Sequence, residues 1–244
     1  MNLQSTKFSN KVATLLALAF TLFFSNCDSP LSDVEVTDPS LLQTNFIVER
    51  ALLNDGTVLG ALQTTLFDKN LASVELKNAQ VKVNGQQMSV TEILNIKTYN
   101  IPSAIVNLNT GYDFEVVLAD GKSYGGSITT QAKTFTSVTV PSNPSKDNDL
   151  TISWNDVYAH DALIITLNLT SPAGTVPGTT FTLTSSQMQA GTFVIPKSNF
   201  ATPAGITSVL ITLTGVKYGT IDSKFRSGSG TISRMRVEKK VTFN

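Results

Sequence analysis

The side chains with most chemistry to offer fall in four places. His160 is followed by Asp161, two residue types that together can take a proton from a nucleophile. Trp154, Asn155, Asp156, Tyr158 and His160 crowd into one short stretch, and aromatic planes beside amides and carboxylates suit the C–H faces and hydroxyls of a sugar. Asp147, Asn148 and Asp149 carry the oxygen ligands that calcium takes. Arg234, Arg236, Glu238 and Lys240 share one face of a strand by period 2, and guanidinium forks match phosphate and carboxylate.

Each place also has a plainer reading. Neighbours on a strand point to opposite faces, and no Gly-x-Ser-x-Gly elbow occurs in the chain, so His160 reads better as a lone surface histidine than as half of a hydrolase. Leu150, Ile152 and Trp154 alternate, which turns the tryptophan toward a core and leaves Tyr158 in the following loop. The aspartates near Asp147 lack the glycine and distal glutamate of a dedicated calcium loop. Ser227-Gly228-Ser229-Gly230 lacks the lysine of a phosphate loop and reads as a hairpin tip. The basic stripe holds either an anionic partner or, as the better account, guards an edge strand against pairing with a neighbour.

Composition narrows the chemistry further. Of 244 residues, 41% are hydrophobic and 15% charged, which excludes solvated disorder as the main state. A single cysteine, Cys27, excludes an intramolecular disulfide and a cysteine-rich zinc cage; a single histidine leaves little for histidine-based metal chemistry. No metal and no cofactor is expected. Charge is segregated: after Cys27 come Asp28, Asp33, Glu35 and Asp38 with no base before Arg50, while Lys217 to Lys240 holds seven basic residues against Asp222 and Glu238. Without residues 1–26 the chain has sixteen bases and eighteen acids, net −2, so no global basic field invites nucleic acid.

Lys7 and Lys11 precede Val12–Phe24, an uncharged and nearly all apolar run too short to span a bilayer comfortably. It ends in Ser25-Asn26-Cys27-Asp28. This layout resembles the lipobox of bacterial lipoproteins, in the relaxed form of the Bacteroidota type. The resemblance implies a lipoprotein signal peptide over 1–26, acylation of Cys27, and attachment to the outer membrane on its periplasmic side or at the cell surface. The alternative is an ordinary secretory signal cut after Ala17-Leu18-Ala19. Residues 27–43 then form an acidic tether, kept out of helix by Pro30 and Pro39, reaching at most about 55 Å from Asp28 to Gln43.

The elements that must position all of these are strands. Threonine occurs 32 times and, with valine and isoleucine, favours a pleated surface; no helical period persists beyond two turns. Over 44–133 the pattern predicts strands at Asn45–Leu53, Val58–Phe67, Ala79–Val83, Gln86–Val90, Tyr112–Leu118 and Ser123–Thr130, with Asn54-Asp55-Gly56, Asn84-Gly85 and Asp120-Gly121 as turns. Thr91–Leu108 fits a short helix or a strand. Over 134–244 seven strands follow, at Phe135–Val140, Leu150–Trp154, Ala162–Leu169, Thr179–Thr184, Gly191–Ile195, Ser208–Thr214 and Thr231–Phe243.

Leu150-Thr151-Ile152-Ser153-Trp154 is similar to the second strand of fibronectin type III modules, and Val81–Gly85 with Gly111–Val116 resembles paired segments of immunoglobulin-like repeats in bacterial envelope proteins. The resemblance implies an all-β chain of two tandem immunoglobulin-like β-sandwich domains, 44–133 and 134–244. It implies a non-enzymatic, lipid-anchored binding or scaffold module, whose partner is the membrane and an envelope protein or glycan. The alternatives are an accessory glycan-binding lipoprotein of a polysaccharide uptake system, using Trp154, Tyr158 and the Arg234 and Arg236 strand, and an envelope hydrolase.

Overall fold

The computed structural model describes residues 29–101, 103–133, 135–155, 160–201 and 205–244. The signal segment, Cys27 and Tyr158 lie outside them. The protein is all-β. Its strands are β1 (Gln43–Leu52), β2 (Val58–Phe67), β3 (Gln80–Val83), β4 (Gln86–Gln87), β5 (Ser89–Ile93), β6 (Ile96–Ile101), β7 (Gly111–Val117) and β8 (Ser123–Thr129). After them come β9 (Val138–Thr139), β10 (Leu150–Trp154), β11 (Ala162–Ser171), β12 (Gly174–Leu183), a six-residue helix α1 (Ser185–Ala190), β13 (Thr192–Ile195), β14 (Ser208–Tyr218), β15 (Thr220–Ile221) and β16 (Gly230–Thr242).

Eight of these make one sheet in the order β12-β11-β14-β16-β1-β2-β6-β5. Alternation decides which face is buried: Phe46 and Val48 on β1, Leu163, Ile165 and Leu167 on β11, and Met235, Val237 and Val241 on β16 point inward, while Glu49, Thr166 and Arg236 point out. A five-stranded sheet, β15-β8-β7-β3-β4, covers one half of that inner face, and a three-stranded sheet, β13-β10-β9, covers the other. The first core joins Phe46 to Phe114 across the sheets, rings stacked 4.9 Å apart, with Val81, Val116 and Tyr99 around them. The second joins Ile165, Ile211 and Leu213 to Ile152, Trp154 and Ile195.

The two halves are not strung in tandem. β1 runs parallel to β16, from Asn45 beside Gly230 to Leu52 beside Val237, so the first strand of one half is bonded to the last strand of the other. β16 gives Met235 to the first core and Val237 and Val241 to the second. The boundary at 133/134 therefore divides neither the large sheet nor the two cores, since Phe225 and Met235 lie in the first core and Leu52 packs on the second.

The acidic tether is also corrected from Ser29 onward. Val36 and Leu42 are buried in the first core, and Ala119 N–H donates to Val36 O. Pro30 and Pro39 each open a short 3-10 turn, capped by the side chains of Ser29 and Asp38; proline fits such a first position because its missing N–H would have had no partner there. Thr91–Leu108, open between helix and strand, is strand as far as Ile101, within the β5–β6 hairpin whose turn residues Leu94 and Asn95 both have positive φ.

Candidate functional site

β16 is a central strand, flanked by β14 and β1 along most of its length, so the edge-protection reading of Arg234 and Arg236 is overturned. The edges of the large sheet are β12 and β5. Arg234, Arg236, Glu238 and Lys240 do share the outward face, as the period requires. Arg236 is engaged there by two carboxylates, Glu49 at 3.3 Å and Glu238 at 3.6 Å, and Glu49 lies opposite Arg234 in the register. Other bases of the C-terminal segment are also used within the fold. Lys217 donates to Thr129 O, Lys224 lies over the Tyr124 ring, and Arg226 donates to Asp68 O. A run of like charge in sequence thus becomes separate local contacts, because a strand, a loop and a strand carry its members to different places.

Trp154 is 8% exposed and belongs to the second core, as its alternation implied. It cannot serve as a stacking platform for a sugar, and Tyr158 and Asp156 lie outside the described residues. Asp149 accepts the Lys197 N–H at 2.9 Å, and Lys146 and Lys197 line the same hollow as Asp147. Among the described residues no cluster of three or more His, Cys, Asp or Glu side chains is placed to hold a metal ion.

His160 is half-buried. Its ring stacks on Phe135 at 4.8 Å and lies against Gly215, where any Cβ would collide with it. Ser233 Oγ donates to Gln131 Oε1 (2.9 Å), and the Gln131 amide in turn donates to His160 Nδ1 (3.2 Å). Gln131 and Ser233 are fully buried, so this polar chain lies in the seam between the two cores. Burial pushes the imidazole down to about 4, against the opposing pull of the Asp161 charge. The Asp161 carboxylate turns elsewhere and accepts the Tyr218 N–H at 2.7 Å. The two side chains thus take different partners, just before β11 begins.

A concavity beside the first core went unread in the sequence. It is an open hollow of about 710 Å³ where the chain leaves β6 and residues 103–108 cross back over β2. Gly60 permits that crossing, because a Cβ there would strike the Ala104 carbonyl. Val58, Leu59 and Ile105 give it apolar walls, Ile105 being 82% exposed, while Arg50 supplies a cation and Ser103 and Asn107 supply hydrogen-bonding groups. An apolar wall with a few polar groups is the usual make-up of a binding surface. The signal was the apolar run Ala104-Ile105-Val106 in a stretch without a settled strand pattern.

No protein-family model matches the chain, and no curated protein matches it. Among solved structures it is similar to the Yersinia pseudotuberculosis adhesin InvE at 14% identity and a TM-score of 0.24, over 84% of this chain and 60% of that one. The chain thus spans less than two thirds of that structure, and a likeness of this degree assigns no partner.

Proposed function

We propose that the protein is a non-enzymatic, lipid-anchored envelope protein, held at the outer membrane through acylated Cys27 and acting as a binding or scaffold module. The observation that carries this reading is the seat of Ser29. Its hydroxyl is fully buried and donates to Asp68 Oδ2 at 2.7 Å. Only Asp28 separates Ser29 from Cys27, so an acyl group there enters the bilayer directly beneath the folded body. Two or more acyl chains hold a protein stably where one does not. Within this reading the two lobes are immunoglobulin-like sandwiches fused along one sheet, and the hollow beside Arg50 is the surface offered to an envelope partner.

Cys27→Ser is expected to abolish palmitate incorporation and to leave the precursor uncleaved; membrane attachment unchanged in that variant would overturn the anchor. Photo-crosslinking in intact envelopes tests the binding role. Specific adducts are expected from Ile105 and not from Val194, an exposed apolar residue on the other lobe. Equal labelling at both positions would overturn the hollow as the binding surface.

A further inference from the structure

Besides the hollow, one exposed apolar cluster has no partner in the fold, and it lies at the opposite end of β2. At the tip of the β5–β6 hairpin Ile93 is 71% exposed and Leu94 is 91% exposed, with Ile96 beside them. In the loop that follows β2, Leu71 is 64% exposed. The loop and the tip are tied together: Ser73 Oγ donates to Asn95 O (3.3 Å) and accepts the Lys97 N–H (3.0 Å). The loop is in turn tied to the N-terminal segment. Asp68 accepts from Ser29 through one carboxylate oxygen and from the Asn70 and Ala72 N–H groups through the other. Burial pushes the Asp68 carboxyl up, but those bonds and the nearby Arg226 charge outweigh it and hold it below its ordinary value. Ser29, Leu71 and Leu94 are thus linked by one continuous set of hydrogen bonds at one end of the molecule.

Two features of this end are costly without a use. Leu71 and Leu94 both adopt left-handed backbone, at φ +62° and +51°, where glycine or asparagine would be easier. Both then present their side chains to water. The surrounding charges are mixed: Lys69 and Glu92 are exposed, and Lys97 pairs with Glu75 at 3.7 Å. A tip of this kind, apolar at its apex with charges set back from it, suits the interface of a bilayer.

We propose that Leu71, Ile93, Leu94 and Ile96 form a membrane-contacting tip, which enters the surface of the phospholipid bilayer that holds the Cys27 anchor. This rests on the lipid-anchor reading. The chain outside the structure argues for that occupant. Two residues reach at most about 7 Å, so Cys27 lies within that distance of Ser29, on the same end as the tip. The acyl chains and the apolar side chains then enter one surface together. The body stands on its tip instead of swinging from its N-terminus, and the hollow beside Arg50 faces away from the lipid.

The test uses the full chain as processed by the cell, purified and reconstituted into phosphatidylethanolamine and phosphatidylglycerol vesicles. An environment-sensitive fluorophore is attached at Leu94→Cys or, as a control, at Leu59→Cys, an exposed apolar position near the start of β2. Circular dichroism checks that both variants fold. A several-fold rise in emission from position 94, quenched by lipids spin-labelled in the acyl chain, is expected, with position 59 unchanged. Emission from 94 that matches 59, in protein that carries palmitate, overturns the tip and leaves the anchor standing. Protein without palmitate overturns the anchor, and the tip then stands if label 94 still enters vesicles and falls if it does not. A rise at 94 that follows protein concentration without vesicles means that a second copy covers the tip, and overturns the proposal.

Discussion

The lobe built around Phe46 and the lobe built around Ile165 share a sheet yet are made differently. All seven non-glycine residues with positive φ among the described residues lie in the first, from Leu71 to Asn109. The second makes its left-handed positions with glycine alone, at 174, 191 and 205. The first core buries Ser29, Thr44, Thr64 and Asp68, whereas aliphatic residues alternate inward along β11 and the middle of β14 in the second, with Ser171 and Ser208 buried at strand ends. Strained backbone and buried polar groups persist only where the surroundings hold them, and they gather at functional ends of molecules. Under the proposed function the first lobe makes the contact and the second supports it.

The largest test of that contrast is Ile165→Ala. It removes three carbons from a fully buried site and should cost about 3 kcal/mol. Because β16 serves both cores, denaturation followed at both lobes should give a single transition; two separated transitions would break the picture of a shared sheet.

The seam comes next. The His160 folded-state value of about 4 lies below the ordinary 6.5, so the unfolded chain binds the proton first. The stability this contributes is present above pH 6.5 and is lost as pH falls toward 4, by about 3 kcal/mol. His160→Gln should flatten that slope in melts taken across the range, and an unchanged slope would remove His160 from the seam's energetics.

Ser29→Ala should cost about 1 to 2 kcal/mol, since it strips a buried hydrogen bond from Asp68. Amide exchange should speed up over 30–42 while β11 and β14 keep their protection; uniform acceleration would mean that the N-terminal segment is not a local unit. The smallest effect has the opposite sign. Leu94→Gly relieves a left-handed leucine and should raise stability by about 0.5 kcal/mol, read as a small rise in melting temperature. A fall would mean that the exposed side chain packs on something within the fold.

Much of the strand pattern was legible because alternation is local. β2 and β10 keep the bounds that their sequences suggest, and Asn84-Gly85 makes the left-handed turn expected of it. What was not legible was long-range. Nothing in Arg234–Lys240 says that β1 and β14 lie beside it, and the charges suited an edge equally well. The β5–β6 turn is made by Leu94-Asn95, a pair without the glycine that marks hairpins. Val36 and Leu42 were hidden among acids and prolines, which read as solvated chain. The α1 signal was present and unread: Thr184 and Gln187 form a capping box, and Gly191 closes the helix in left-handed conformation. Among the candidate site residues, Trp154 followed its period, whereas the hollow beside Arg50 needs residues 50, 58–60 and 103–108 to meet in space.

The parallel ladder between β1 and β16 also orders events in time. β1 is synthesised early and pairs on one side with β2, and its other edge stays open until residues 230–237 are available. Closing a contact over so long a stretch of chain is slow, and an unpaired edge invites wrong partners meanwhile. A cysteine acylated near the amino end would spend that interval already in the membrane. The last of these strands to arrive then acts as a latch, and the large sheet closes only when it is in place.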